Sequence, residues 1–131
     1  MMTDQALTIA VVDDDDDVRT ALSRLLRAMG HQVQLFPSAE AFEAGRMPVD
    51  CVIVDVRLPG LNGLELRERL RSRIEPASVV LITGDGDQIA RNIGCEIDTP
   101  LLTKPFDAGL LASAITSAIA MAGSHRERHV H

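Results

Sequence analysis

The sequence predicts an α/β fold, a single doubly wound (βα)5 three-layer sandwich in which helices cover both faces of a five-stranded parallel sheet. Three observations predict it. Short apolar runs rich in β-branched residues alternate with segments of helical periodicity, turn residues separate the two, and the length of 131 residues suits one core. Neighbouring parallel strands are usually joined by crossover helices, and these helices bury both faces of the sheet.

The first unit is a strand over residues 7–12 followed by a helix whose apolar residues recur at helical spacing over 18–29. Gly30 is placed to end this helix. The acidic residues 15–17 lie in its first turn, where carboxylates cap free N–H groups and complement the helix dipole. These three acids therefore start a helix.

The second and third units repeat the pattern. A short strand over residues 32–36 precedes a helix that Ser38 can cap. The third strand covers residues 51–54 and ends in Asp55. A loop of turn residues over 58–63 follows, and the next helix has apolar residues four apart on one face: Leu66, Leu70 and Ile74.

The remaining units complete the sheet. A fourth strand over residues 78–83 leads into turn residues and a short helical candidate over 88–93. A fifth strand over 101–103 precedes a last helix with an apolar face. Because the residues after this helix are polar, we expect one domain over residues 7–122 and a frayed C-terminal tail over 123–131.

Composition excludes several classes of function. The net charge of −6, from 13 basic and 19 acidic residues, makes the chain a poor candidate for direct nucleic-acid binding. No uninterrupted apolar stretch is long enough to cross a bilayer, so we expect a soluble protein away from membranes. Cys51 and Cys95 have no C-x-x-C spacing, which favours two reduced thiols and a cytoplasmic location.

Polar residues follow the strands at the edge where ligands bind in such folds. They are Asp13 and Asp14 after the first strand, Asp55 after the third, Thr83 at the end of the fourth and Lys104 after the fifth. Three converging carboxylates repel each other unless a cation lies among them, and an all-oxygen site suits Mg²⁺. Carboxylates also accept phosphoryl groups, so Asp55 is the best nucleophile candidate. Lys104 is the chain's only lysine, beside twelve arginines.

Four strings occur in the order found in one family: V-V-D-D-D at residues 11–15, V-D-V-R-L-P-G at 54–60, L-I-T-G at 81–84 and L-T-K-P-F at 102–106. Together they resemble the response-regulator receiver domain of two-component signalling. The resemblance covers nearly the whole chain. It implies a flavodoxin-like strand order of 2-1-3-4-5.

The resemblance implies roles for three of the residues at the strand ends. Asp55 would take a phosphoryl group from the phosphohistidine of a sensor histidine kinase, from a phosphotransfer protein or from a small donor such as acetyl phosphate. Lys104 would contact that phosphoryl group or Asp55, and Thr83 would swing inward to bond it. In the family the bond before the equivalent of Pro105 is often cis, which the tertiary amide makes inexpensive.

The resemblance also implies a set of ligands for Mg²⁺. Asp14 and Asp55 would bind the metal directly, and Asp13 would bind it through water. The backbone carbonyl of Arg57 would complete the ligands from the protein. No other cofactor is expected.

The chain departs from the family pattern on the side that carries output. Leu101 stands where receivers usually have tyrosine or phenylalanine, so the resemblance does not extend to the coupled movement of ring and threonine. Gly94 ends the fourth helix about one turn early, and the connection over residues 95–100 is long. We therefore expect an atypical surface for a downstream protein partner within residues 88–122, with a homodimer left open.

Two alternatives compete with the receiver hypothesis. A haloacid-dehalogenase-like phosphatase would use D-x-D-x-V at residues 14–18, with Thr83 and Lys104 as later motif residues. That superfamily needs a further acidic metal motif, and only Asp107 and Glu127 follow the lysine. A phosphorylation-independent adaptor is favoured by Leu101. A receiver would catalyse only its own phosphorylation and dephosphorylation and would not be an enzyme on an external substrate.

Overall fold

The computed structural model describes residues 6–73, 77–84 and 99–130. Five strands and four helices lie in these residues: β1 Thr8–Val12, α1 Asp16–Ala28, β2 Gln32–Phe36, α2 Ala39–Gly45, β3 Cys51–Asp55, α3 Gly63–Arg71, β4 Ser78–Thr83, β5 Leu101–Thr103 and α4 Ala108–Val130. The helix predicted over residues 88–93 lies outside the described residues, as do Ile74, Gly94 and Cys95.

The five strands form one parallel sheet with the order β2-β1-β3-β4-β5, which confirms the predicted α/β architecture. Alternate strand residues face opposite layers. On one face they pack against Leu22 and Leu26 of α1 and Leu111 of α4. On the other face they pack against Phe42 of α2 and Leu66 of α3. The sheet is therefore the middle layer of three.

The predicted caps position the first helix. Asp15 is the N-cap of α1, and its side chain accepts hydrogen bonds from the backbone N–H groups of Asp17 and Val18. After the helix Gly30 has φ +95°, a conformation that glycine adopts without strain. The N–H of the following His31 donates to the carbonyl of Leu26, which closes the helix end.

Side-chain caps also begin α2 and α3. Ser38 accepts a hydrogen bond from the N–H of Ala41, as predicted. Asn62 and Glu65 form a capping box, in which each side chain accepts from the other residue's backbone N–H. Both helices therefore begin at defined residues near the carboxyl ends of the strands.

Strand register brings the acidic residues together. Val12 of β1 pairs with Val54 of β3. The residues that follow them, Asp13 and Asp55, are therefore neighbours. The chain winds outward from this pair of strands, with β2 on one side and β4 and β5 on the other. This is the topological switch point, where parallel α/β sheets open a crevice for ligands.

The last helix, α4, runs past Gly123 to Val130. The division between a domain over residues 7–122 and a tail over 123–131 stays a prediction. Within the described residues, no helix is both long enough and apolar enough to cross a membrane.

Candidate functional site

Asp55 is the last residue of β3 and is largely buried. Its Oδ1 atom accepts a hydrogen bond of 2.8 Å from the backbone N–H of Arg57. Its Oδ2 atom lies 3.3 Å from Nζ of Lys104. The loop that follows the strand thus fixes one carboxylate oxygen, while the other faces a cation.

Asp13 follows β1 and is fully buried. Its Oδ1 atom accepts a hydrogen bond of 2.9 Å from the N–H of Asp15, and its Oδ2 atom lies 3.7 Å from Nζ of Lys104. Within the described residues Oδ2 has no hydrogen-bond partner. Burial raises the pKa of Asp13 to about 6, and the nearby Asp55 carboxylate adds to the rise, against the Asp15 N–H and the Lys104 charge.

Lys104 lies directly after β5, and its backbone N–H donates to the carbonyl of Thr83 at 2.9 Å. The peptide bond to Pro105 is cis, as expected. The Lys104 ammonium group pairs with both Asp13 and Asp55, and the lysine side chain is 30% exposed. One positive charge therefore serves two carboxylates, which leaves the crevice with an excess of negative charge.

The other predicted residues surround this group. Thr83 is buried at the end of β4, in register with Thr103 of β5. Asp14 and Arg57 are exposed. No three acidic, histidine or cysteine side chains among the described residues form a metal-holding group. The structure thus brings together Asp13, Asp55 and Lys104, and it leaves Asp14 outside that cluster.

Sequence reasoning did not single out Arg19, which supports the site from α1. Its Nη1 atom donates to the backbone carbonyl of Asp13 at 2.5 Å, and its guanidinium also pairs with Asp16. The arginine therefore fixes the main chain at one of the two buried acids. Little in the sequence indicates this role, because Arg19 lies in the first turn of a helix among other charged residues.

Gly63 supports the second acid through close packing. A Cβ atom added there would lie 2.5 Å from the backbone oxygen of Asp55 and 3.0 Å from Cα of Val56. The N–H of Gly63 also donates to the carbonyl of Val56 at 3.3 Å. The first turn of α3 thus lies directly on the end of β3, and only glycine allows this approach.

Asp13→Asn is expected to stabilise the metal-free protein at neutral pH. Because the folded-state pKa is raised from 3.8 to about 6, the folded protein binds the proton more tightly, and stability falls as pH rises from 4 to 6. Above that window the neutral variant should be more stable by up to about 3 kcal/mol, and the difference should shrink toward pH 4.

Urea unfolding in the presence of a chelator, at pH 4 and pH 7.5, measures this difference. Asp14→Asn is the matched control, because it makes the same substitution at the exposed neighbour. A gain for Asp13→Asn that is equal at both pH values would contradict the role of burial.

Comparison with known proteins decides the family. Residues 9–116 match the response regulator receiver domain family. The chain belongs to this family. It is thus a receiver of two-component signalling, and the haloacid-dehalogenase-like interpretation is left without support.

Curated relatives are similar to this receiver domain along most of its length. The response regulator protein TmoT of Ectopseudomonas mendocina is 37% identical over 131 residues, covering 96% of this chain and 59% of TmoT. The transcriptional regulatory protein FixJ of Bradyrhizobium diazoefficiens is 38% identical, covering 87% of this chain and 57% of FixJ. The receiver domain therefore spans less than two thirds of the length of these relatives.

Solved structures are similar in fold. Full-length FixJ from B. japonicum superposes with a TM-score of 0.78 at 35% identity, covering 92% of this chain and 61% of FixJ. A response regulator receiver domain protein from Clostridium thermocellum gives a TM-score of 0.75 at 26% identity, covering 97% of this chain and all of the other. The receiver domain thus has the fold of its relatives.

Proposed function

We propose that this receiver domain accepts a phosphoryl group on Asp55 from a phosphohistidine. The donor would be a sensor histidine kinase or a phosphotransfer protein, with small phosphoryl donors as substitutes. One observation carries the proposal: the Asp55 carboxylate has one oxygen fixed by the Arg57 N–H and the other facing Lys104. This arrangement presents a nucleophilic oxygen beside a charge that can meet the incoming phosphoryl group.

In the proposed step a carboxylate oxygen of Asp55 forms a bond to phosphorus. The bond between phosphorus and the imidazole nitrogen of the donor breaks, and its electron pair stays on that nitrogen. The product is an acyl phosphate. Lys104, 3.3 Å from Oδ2 of Asp55, places positive charge where the phosphoryl oxygens arrive, and the Arg57 N–H keeps the carboxylate in place.

Asp13 and Asp55 suit the Mg²⁺ that receivers generally require, because their carboxylates converge with too little positive charge between them. Asp13 has a buried carboxylate oxygen without a hydrogen-bond partner in the described residues, and this oxygen and Asp55 share a single ammonium. We propose that Asp13, Asp14, Asp55 and the carbonyl of Arg57 hold the metal, with water among the ligands. When bound, Mg²⁺ would screen the negative charge between the carboxylates and the phosphoryl group.

Phosphorylation would change the partner surface through β5, the strand that Lys104 directly follows. Thr83, buried at the end of β4, would bond a phosphoryl oxygen through its hydroxyl group. Leu101 is the register partner of Leu81 and packs, partly buried, against the core beside α2 and α3. We propose that a downstream protein binds within residues 88–122, of which residues 99–122 belong to the described part.

The proposed setting is the cytoplasm, where receivers typically work. Buried Cys51 suits it, because burial raises the pKa of this thiol to about 12 and keeps it unreactive. A net charge of −6 argues against direct contact with nucleic acid. The partners would therefore be proteins, including a second copy of the domain.

Lys104→Gln is expected to slow phosphorylation of Asp55 by acetyl phosphate about a hundredfold, since it removes the only cation that pairs with both carboxylates in the described site. Lys104→Arg should also be impaired, because a planar guanidinium cannot replace a compact ammonium in a tight crevice. Initial rates of phosphoprotein formation on a phosphate-affinity gel measure both effects. Wild-type rates in both variants would remove Lys104 from the mechanism.

Stoichiometry tests the proposed function against the two alternatives. With acetyl phosphate and Mg²⁺, a receiver takes up one phosphoryl group per chain and does not turn over p-nitrophenyl phosphate many times. Repeated turnover would indicate a phosphatase. No uptake from either acetyl phosphate or a cognate kinase, with partner binding unchanged in Asp55→Asn, would indicate the phosphorylation-independent adaptor.

A further inference from the structure

Glu40 lies in the first turn of α2, at the end of the sheet that carries Asp55. Although Glu40 is exposed, its Oε2 atom accepts a hydrogen bond of 2.9 Å from the backbone N–H of Leu61, which lies 21 residues further along the chain. The carboxylate thus binds the loop between β3 and α3. Loss of this bond would remove a hydrogen bond that joins the loop to α2.

Gly60 provides the space for this contact. It has φ +73°, and a Cβ atom added there would lie 2.6 Å from the same Oε2 atom of Glu40. A side chain at this position would displace the carboxylate from the Leu61 N–H. The conformation and the close approach therefore both require glycine.

The N–H of Leu61 is also what lowers the pKa of Glu40, ahead of the contribution from its own backbone N–H and from Arg69. The bond is therefore made by the charged form of the side chain, and hydrogen bonds to a charged acceptor are the stronger kind. The hydrogen-bond geometry and the lowered pKa both indicate that the carboxylate is bound to this loop.

The loop is attached to the rest of the domain at several described points. At its start the Arg57 N–H binds Asp55, and at its end Asn62 and Gly63 begin α3 against the strand. Between these ends, Leu58 is buried, and Glu40 binds the segment from outside. The contact with Glu40 is the described hydrogen bond that joins the middle of this loop to α2.

We propose that Glu40 is a positioning residue for phosphorylation, because its carboxylate clamps the loop that follows Asp55. This inference rests on the proposed function of Asp55. The clamp holds Arg57 where its N–H orients the acceptor carboxylate, and it couples the placement of α2 to the site. The clamp thus keeps the loop in a fixed conformation before phosphoryl transfer.

Glu40→Ala is expected to slow phosphorylation by acetyl phosphate about three- to tenfold, the net effect of losing one solvent-exposed hydrogen bond that acts on Asp55 only through the loop. Glu43→Ala is the matched control. Glu43 lies one turn further along α2, and its carboxylate pairs with Arg69 and Arg73 instead of the loop. It should keep the wild-type rate. Rates are compared at a temperature where circular dichroism shows each variant folded.

Amide hydrogen exchange at Leu61 gives a readout independent of phosphorylation. Exchange of this amide should quicken in Glu40→Ala and stay as in wild type in Glu43→Ala. Unchanged exchange in Glu40→Ala would overturn the clamp. Faster exchange with an unchanged phosphorylation rate would overturn the positioning role.

A double-mutant cycle with Gly60→Ala separates positioning from general damage. Because the added methyl group already displaces the Glu40 carboxylate, Glu40→Ala should slow the Gly60→Ala variant by less than twofold. If the fold reductions in rate caused by the two substitutions multiply in the double variant, the clamp is contradicted. If wild type itself takes up no phosphoryl group, the proposed function fails, while the exchange measurement still decides whether Glu40 holds the loop.

Discussion

Asp55→Asn is expected to leave a folded receiver domain that gains no phosphoryl group from acetyl phosphate and Mg²⁺. An amide has no anionic oxygen with which to attack phosphorus, and it can still accept the hydrogen bond from the Arg57 N–H. The substitution also removes one of two carboxylates that share Lys104, so repulsion of Asp13 falls. Intact-mass measurement after incubation with the donor reads the result directly.

Asp50→Asn provides the matched control for this experiment. Asp50 directly precedes β3 at the opposite end of the sheet, where its carboxylate accepts a hydrogen bond of 2.8 Å from the N–H of Thr8. The same chemical change there should leave phosphoryl uptake as in wild type. Equal uptake by Asp55→Asn and wild type would exclude Asp55 as the acceptor.

Gly63→Ala is expected to destabilise the domain by about 3 kcal/mol and to disturb Asp55 at the same time. The new methyl group would lie 2.5 Å from the backbone oxygen of Asp55 and 3.0 Å from its carbonyl carbon. Backbone atoms at the end of a buried strand cannot rotate aside as a flexible side chain can. Either α3 moves away from the sheet or the end of β3 shifts.

Urea unfolding and initial phosphorylation rates should therefore both change in Gly63→Ala. Gly45→Ala is the control, because an added Cβ there meets only the ring of Phe36, at an ordinary 3.5 Å. In α2 this control should be neutral or gain about 0.5 kcal/mol from helix propensity. Wild-type stability and rate in Gly63→Ala would show that the contact with Asp55 is not restrictive.

Much of the fold could be predicted because its signals are local. Strands buried on both faces appear as continuous apolar runs, and the predicted β4 and β5 have the observed bounds. Asp15 and Ser38 cap helices as their residue types indicate. The assembly of Asp13 and Asp55 also followed from sequence, since the carboxyl ends of adjacent parallel strands meet at one edge.

The supports of the site could not be predicted, because they depend on distances between elements that are far apart in sequence. Glu40 and Gly63 act on the loop after Asp55 from α2 and α3, and neither residue type indicates such a contact by itself. Asp13 is buried and the adjacent Asp14 is exposed, a difference that the run of five aspartates does not indicate by itself.

The departure at Leu101 remains a prediction about output. In the structure this side chain packs partly buried against the core on the α2 and α3 side. Just before it, Thr99 accepts a hydrogen bond from the buried Arg67 of α3. The segment entering β5 is thus attached to α3, and a switch in this domain would have to move that attachment without an aromatic ring at position 101.

Chemical mapping of the phosphoryl group tests the central claim most directly. Wild-type protein is incubated with acetyl phosphate and Mg²⁺, reduced with borohydride and digested with trypsin. Reduction converts an acyl phosphate to an alcohol, so phosphorylation of Asp55 predicts homoserine at that position in the peptide of residues 47–57. Asp50 in the same peptide should stay aspartate. Reduction at Asp50 or at another aspartate, with Asp55 unmodified, would contradict the assignment of Asp55 as the phosphoryl acceptor.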